Sequence, residues 1–244
     1  ELGGAADPTE QWSKILGNKK SCTNYFQKHI LSKSEEAIAL GLDEVDQVFR
    51  YPNIATGFFG LLRAWHEKGK NDAIWKRLRL IIVHSKEVYI PLDINQSPFN
   101  VGMPVELPEL NSSQVECLAR KHGLEESNQE LEKLMEMFGG HPYLIRVALY
   151  ELARARVSLG ELLRVAPTEE GLYQEHLRRH LLNLREDLEL VDAFKQVVRA
   201  SYAIQIDDTA AFKLRSMGLV RVQQNKVVPL CQLYRQYFRE RLGG

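Results

Sequence analysis

The residues from Ala37 to Leu42 form an uninterrupted apolar run that ends abruptly on Asp43-Glu44. A run this short and this uniformly apolar reads as a strand buried on both faces, the situation of a parallel sheet. A second such run, Leu78 to Val83, follows it, and between the two Phe58 to His66 carries apolar residues at helix-compatible spacing. Strand, helix, strand in that order predicts a crossover unit, right-handed by the general rule for parallel strands. The chain is thereby committed to an α/β class.

Upstream of this unit, Gln11 to Leu31 reads as a helix anchored by Trp12, Ile15, Tyr25, Phe26 and Ile30. Downstream, Met103 to Leu110 reads as one more short strand, and Asn111-Ser112-Ser113 is a helix N-cap signal. Three helices follow, Ser112 to His122, Asn128 to Phe138 and Tyr143 to Arg154, with Gly139-Gly140-His141-Pro142 breaking the last two apart. A boundary falls near Pro167-Thr168, where Glu169 and Glu170 open a fresh acidic helix start. Beyond it come helices over Leu172 to Leu184 and Asp187 to Ala200, a short strand near Ala203 to Ile206 and a helix over Asp208 to Met217. A hairpin of Leu219 to Val222 with Lys226 to Val228 and a closing helix over Leu233 to Leu242 complete the chain. That succession is a winged-helix pattern. The expected division is therefore a sheet-containing core over 1–110, a helical lid over 111–166 and a winged-helix domain over 167–244.

Composition narrows the function classes. The chain has 244 residues, 44% of them hydrophobic and 26% charged, which is ordinary globular usage. Lys+Arg and Asp+Glu both total 32, so no global positive field holds nucleic acid or an anionic membrane, and any such contact must be a local patch. Cys22, Cys117 and Cys231 are far apart and have no second ligand at zinc spacing, which fits free thiols in a reducing compartment. No apolar stretch approaches the roughly 20 residues of a membrane-spanning helix, and no signal peptide opens the chain. A cytoplasmic protein is expected, and because the first residue is Glu1 and not Met, a chain entered midway.

The apolar run ending in Asp43-Glu44 is the Walker B pattern. A strand in an open α/β sheet delivers its last side chains to the edge where ligands bind. There Asp43 can orient the water shell of Mg²⁺ and Glu44 can polarise an attacking water. The same pattern also describes an apolar strand meeting a solvated acidic turn, and the pattern alone leaves both readings open. The second strand ends on Val83-His84-Ser85-Lys86, so a hydroxyl at Ser85 and a cation at Lys86 reach the same edge as donors for phosphate oxygens, or else form an ordinary solvated turn. A phosphate-cradling loop G-x-x-x-x-G-K-S/T is absent. Leu16 to Ser21 lacks the first glycine, and Gly69-Lys70 is followed by Asn71.

Other chemistries find less support. His176 and His180 stand four apart on one helix but enclose Leu177 and Arg178, without the Glu that zinc proteases place there, and read as a solvated helix face. No G-x-S-x-G elbow and no Cys-His pairing is visible. Lys213, Arg215, Arg221 and Lys226 fall on the third helix and wing of the last domain, where such domains meet DNA phosphates, although winged helices also serve as structural lids.

Several strings together resemble the AAA-like domain of large cyanobacterial signalling proteins, a family similar to the STAND class of P-loop ATPases. They are Leu40 to Asp46, Phe58 to Trp65, Ile82 to Ser85, Tyr89 to Gly102 and Gly139 to Leu144, and the resemblance covers nearly the whole chain. It implies a partial P-loop NTPase sheet, a helical lid and a winged helix. ATP and Mg²⁺ are the implied cofactors, with Asp43 and Glu44 as the Walker B pair. It places Gly140 and Pro142 against the adenine in a Gly-x-Pro element opening a lid helix. The family's sensor triplet usually ends in Arg where this chain has Lys86, a point charge without the bidentate fork. The resemblance further implies a nucleotide-dependent switch partnered by other domains or proteins of a signalling assembly, with nucleic acid a lesser partner and no membrane. The phosphate-gripping loop would lie upstream of residue 1, leaving negligible ATP hydrolysis to these residues alone. A DNA-binding regulator and a degenerate scaffold are the alternatives.

Overall fold

The structure, a computed structural model, describes residues 7–12, 15–84, 98–124 and 127–243. It divides into two compact units, residues 1–105 and 106–244.

The first unit opens with α1 (Pro8–Gln11) and α2 (Asn18–Tyr25), which runs on through a π turn at Phe26–Ile30 and a 3₁₀ turn at Leu31–Lys33. The single helix expected over Gln11 to Leu31 is broken at Gly17, whose φ of 73° lies in the left-handed region open to glycine. Then come β1 (Ile38–Leu42), α3 (Pro52–Asn71) and β2 (Leu78–Ile82). The two strands are parallel, with Ile38 opposite Leu78 and Leu42 opposite Ile82. The expected strand–helix–strand unit is present. Pro52 starts α3 at a position where its missing N–H costs nothing. The helix buries Ala55, Phe59, Leu62 and Trp65, one face of a 3.6-residue period, under the sheet and against Trp75. Both buried indoles keep their N–H satisfied, Trp65 donating to Thr23 Oγ1 at 3.0 Å and Trp75 to Gln27 Oε1 at 3.1 Å.

Burial on both faces, expected for the strands, is not what the sheet shows. Ile38, Leu40 and Leu42 of β1 and Leu78, Leu80 and Ile82 of β2 pack on the core, whereas Ala39, Gly41, Arg79 and Ile81 are exposed. The sheet has one helical layer against it among the described residues, so the period-2 alternation of a strand decides burial. Met103 to Leu110 is not a strand either, but lies outside any ladder. Pro104 and Pro108 have no N–H to donate, and the segment is largely exposed.

The second unit is mostly helical. It contains α4 (Ser112–Lys121), α5 (Asn128–Phe138), α6 (Pro142–Ala153), α7 (Leu159–Val165), α8 (Gln174–Arg185), α9 (Leu188–Arg199) and α10 (Asp208–Ser216). After these come β3 (Val220–Gln223), β4 (Lys226–Pro229) and α11 (Gln232–Arg241). Reciprocal capping boxes start α4 at Asn111 with Gln114, where a cap was expected, and α5 at Ser127 with Glu130. The β3–β4 hairpin turns through Gln224 and Asn225, both with positive φ, the geometry that matches strand twist. The strand expected near Ala203 to Ile206 is reduced to one bridge, Ile204 to Val227. A single hydrophobic core runs from Val115 on α4 through Phe138, Leu149, Tyr173 and Phe194 to Phe238 on α11.

Candidate functional site

Asp43 and Glu44 leave the carboxyl end of β1, exposed, at the edge where a parallel sheet presents its ligand-binding residues. The strand ends there for a visible reason. Val83 donates its N–H to Leu42 O at 2.8 Å, and its carbonyl then accepts from Val45 N at 3.2 Å, so the ladder skips Asp43 and Glu44. The skipped residues turn sharply. Glu44 has φ 52° and ψ 35°, a left-handed conformation that a side chain with a Cβ occupies at a cost of about 1–2 kcal/mol. Asp43 Oδ1 accepts the Glu44 N–H at 2.8 Å, which holds the turn and leaves Oδ2 uncommitted to it. The chain then enters a 3₁₀ turn, Val45–Arg50, in which Val45 and Asp46 are buried.

This arrangement suits a hard cation. Two exposed carboxylates stand adjacent at a sheet edge, and no three His, Cys, Asp or Glu gather as metal ligands among the described residues. A site with one or two carboxylates fits Mg²⁺, which keeps most of its coordination for water and phosphate oxygens. His84, the last described residue of the β2 edge, makes an edge-on contact with Phe99 at 5.2 Å. Ser85 and Lys86 lie outside the described residues.

Gly140 and Pro142 belong to the second unit, at the junction of α5 and α6. Gly139 closes α5 with φ 62° and Gly140 follows with φ 76°. Gly140 has a structural requirement of its own: a Cβ there would stand 2.1 Å from Leu110 O, and its carbonyl accepts the Leu110 N–H at 2.8 Å. Pro142 is the first residue of α6 and is exposed, while His141 caps the helix, Nδ1 accepting from Leu144 N at 3.5 Å.

A cluster of rings beside Pro142 is the feature that residue spacing did not reveal. His176 is not on a solvated face. Its ring lies 5.2 Å from Tyr143 and 4.6 Å from His180, and its Nε2 is 2.7 Å from the hydroxyl of buried Tyr234. Burial, with repulsion of a proton by His180, His141 and Arg179, pushes its pKa down to about 3. Burial likewise lowers that of His141. The His176–His180 spacing was the available signal, but only the fold brings Tyr143 and Tyr234 to it. Asp46, two residues after Glu44, is a second such feature, an acid buried in the turn that follows the exposed pair.

Of the four basic residues on α10 and the β3–β4 hairpin, three are neutralised, and Lys226 has no carboxylate partner among the described residues. Lys213 Nζ pairs with Asp187 Oδ2 at 2.7 Å, Arg215 with Glu106 at 3.4 Å, and Arg221 with Glu109.

The sequence model of the AAA-like domain matches residues 2–240, nearly the full chain. The chain belongs to the AAA-like domain family. The structure of this AAA-like domain is similar to the Walker-type ATPase paby2304 of Pyrococcus abyssi, with a TM-score of 0.60 and 14% identity over 91% of this chain and 68% of that one. At that identity the likeness is one of fold. No match is found among curated proteins. No described helix of the AAA-like domain is long and apolar enough to cross a membrane.

Proposed function

We propose that this chain is the part of an AAA-like, STAND-type ATPase that carries the metal- and water-orienting acids, and that it works as a nucleotide-dependent switch in a signalling assembly. The observation that carries this reading is Glu44. A non-glycine residue held in a left-handed conformation, directly after a parallel strand and beside a second exposed carboxylate, is strain placed where chemistry is done. Asp43 is the residue that would hold Mg²⁺ through its water shell. Glu44 would orient and polarise the attacking water. Mg²⁺, when bound, supplies charge neutralisation on phosphate oxygens. Ser85 and Lys86 are proposed as phosphate donors, and Gly140 and Pro142 as the base-facing element of the lid, Pro142 offering a flat apolar surface.

Within the second unit we assign 111–166 to a helical lid and 167–244 to a winged-helix domain, on the succession α8, α9, α10, hairpin, α11. Ion pairing of Lys213, Arg215 and Arg221 favours a protein-directed output over DNA binding. The three cysteines are free, consistent with a cytoplasmic setting.

These 244 residues contain no G-x-x-x-x-G-K-S/T loop, so their main phosphate ligands would come from a longer polypeptide. The test is ATP turnover by a longer natural protein that contains both the loop and this chain. Asp43→Asn should abolish Mg²⁺-dependent nucleotide binding, whereas Glu44→Gln should keep binding and lower turnover by roughly 10²–10⁴-fold. Wild-type turnover in both variants contradicts the assignment. Micromolar Mg²⁺-dependent ATP binding by the 244 residues alone, measured by calorimetry, contradicts the dependence on an external loop.

A further inference from the structure

α6 carries a second feature that nucleotide binding does not use. Tyr143, Arg146, Tyr150 and Arg154 follow one another at i, i+3, i+7 and i+11, a single stripe along the helix, and all four are exposed. Arg146 has no carboxylate partner among the described residues. Arg154 reaches only Tyr150, donating to its hydroxyl with its guanidinium 5.2 Å from the ring centre. Glu151, the one acid on α6, is turned to Arg156 at 3.4 Å. At the start of the stripe the Tyr143–His176 contact joins it to α8, where Arg179 is exposed and likewise lacks a carboxylate among the described residues.

The contrast within this unit is informative. Lys213, Arg215, Arg221, Arg178 and Arg241 are matched by Asp187, Glu106, Glu109 and Glu169. The arginines of the α6–α8 stripe are left uncompensated beside two half-exposed tyrosines. Tyr and Arg are the residue types that anchor protein interfaces, because each brings large contact area with a directed polar end.

We propose that the Tyr143–Arg146–Tyr150–Arg154 stripe, continued by Arg179, docks an acidic segment of a partner protein. Charge complementarity selects the sign: planar guanidinium forks without internal partners match carboxylates bidentately. The ring geometry selects protein over single-stranded nucleic acid. Stacking of bases needs open ring faces, but Arg154 lies over Tyr150 and His176 leans on Tyr143. These contacts already occupy one side of each ring, and the exposed guanidiniums beside them suit the carboxylates of a peptide. The proposal does not depend on nucleotide.

The experiment uses the purified chain without nucleotide and follows the anisotropy of a fluorescein-labelled peptide of alternating glutamate and leucine. Arg146→Glu/Arg154→Glu should weaken binding by at least about tenfold. Lys121→Glu/Lys133→Glu, an equal charge change on exposed residues of α4 and α5, should leave it within about twofold. Helical circular dichroism and melting confirm that both variants fold. If the α6 pair does not fold, Arg179→Glu replaces it, with a loss of about threefold expected. Absence of wild-type binding, equal loss in the two reversals, or tighter binding of oligothymidylate that the α6 reversal removes would each overturn the proposal.

Discussion

The Nε2 of His176 stands 2.7 Å from the hydroxyl of Tyr234, tying α8 to α11 at a point where Tyr234 is buried and His176 half-buried. Burial holds His176 down to about 3, and His180, His141 and Arg179 add repulsion to any proton it takes up. The groups facing it from α6 and α11 are His141, Tyr143 and Tyr234, and none is a carboxylate. Above pH 6.5, its ordinary value, the ring is neutral in both folded and unfolded chains and adds no pH dependence. Below it the unfolded chain binds a proton that the folded chain refuses, so stability falls as pH drops. Thermal melting should therefore decline from pH 6.5 downward, before carboxylates begin to titrate. His176→Phe should flatten that decline while costing about 1 kcal/mol at neutral pH through the lost partner of Tyr234.

Gly140 and Pro142 separate a structural role from a ligand-facing one. Gly140→Ala places a Cβ into Leu110 O at a positive φ, so it should destabilise the chain by about 2–4 kcal/mol in denaturant melts. Pro142→Ala alters an exposed first helical residue and should cost less than about 1 kcal/mol. A base-facing Pro142 predicts weaker nucleotide binding in that variant without a change in melting.

Glu44→Gly should behave in the opposite way to most substitutions. It relieves the left-handed strain and removes the acid, and a gain of up to about 1 kcal/mol in thermal stability is expected alongside loss of turnover. Destabilisation of the chain by this change would argue against strain at Glu44.

The cations of α10 and the β3–β4 hairpin yield a negative prediction. With Lys213, Arg215 and Arg221 held in ion pairs, duplex DNA should bind with a shallow salt slope in a gel-shift titration. A steep slope lost in Arg215→Glu would restore the DNA-binding reading.

Much of this architecture was readable from residue order. The Ala37–Leu42 and Leu78–Val83 runs predicted the parallel pair, Asn111 predicted a helix start, and Gly139 to Pro142 predicted the α5–α6 break. Two expectations failed because tertiary context outweighed local pattern. Apolar Ala39 and Ile81 are exposed because burial of a strand face depends on what covers it, and Met103 to Leu110 has β-favouring Val105 but prolines that cannot complete a ladder. At the site, Asp43-Glu44 was legible because it ends an apolar run. The left-handed turn of Glu44 and the His176–Tyr234 contact were not, since the first is a backbone property of a residue that rarely adopts it and the second joins positions 58 apart in sequence.

The most direct test of the central claim is paramagnetic broadening of amide NMR signals in the 244-residue chain by Mn²⁺ with ATP, a readout sensitive to weak contact. The account predicts broadening centred on residues 42–46 and on Val83-His84, lost in Asp43→Asn while the rest of the spectrum is unchanged. Broadening that avoids this edge, or that persists in Asp43→Asn, would contradict the assignment of Asp43 and Glu44 to the metal and water side of a nucleotide site.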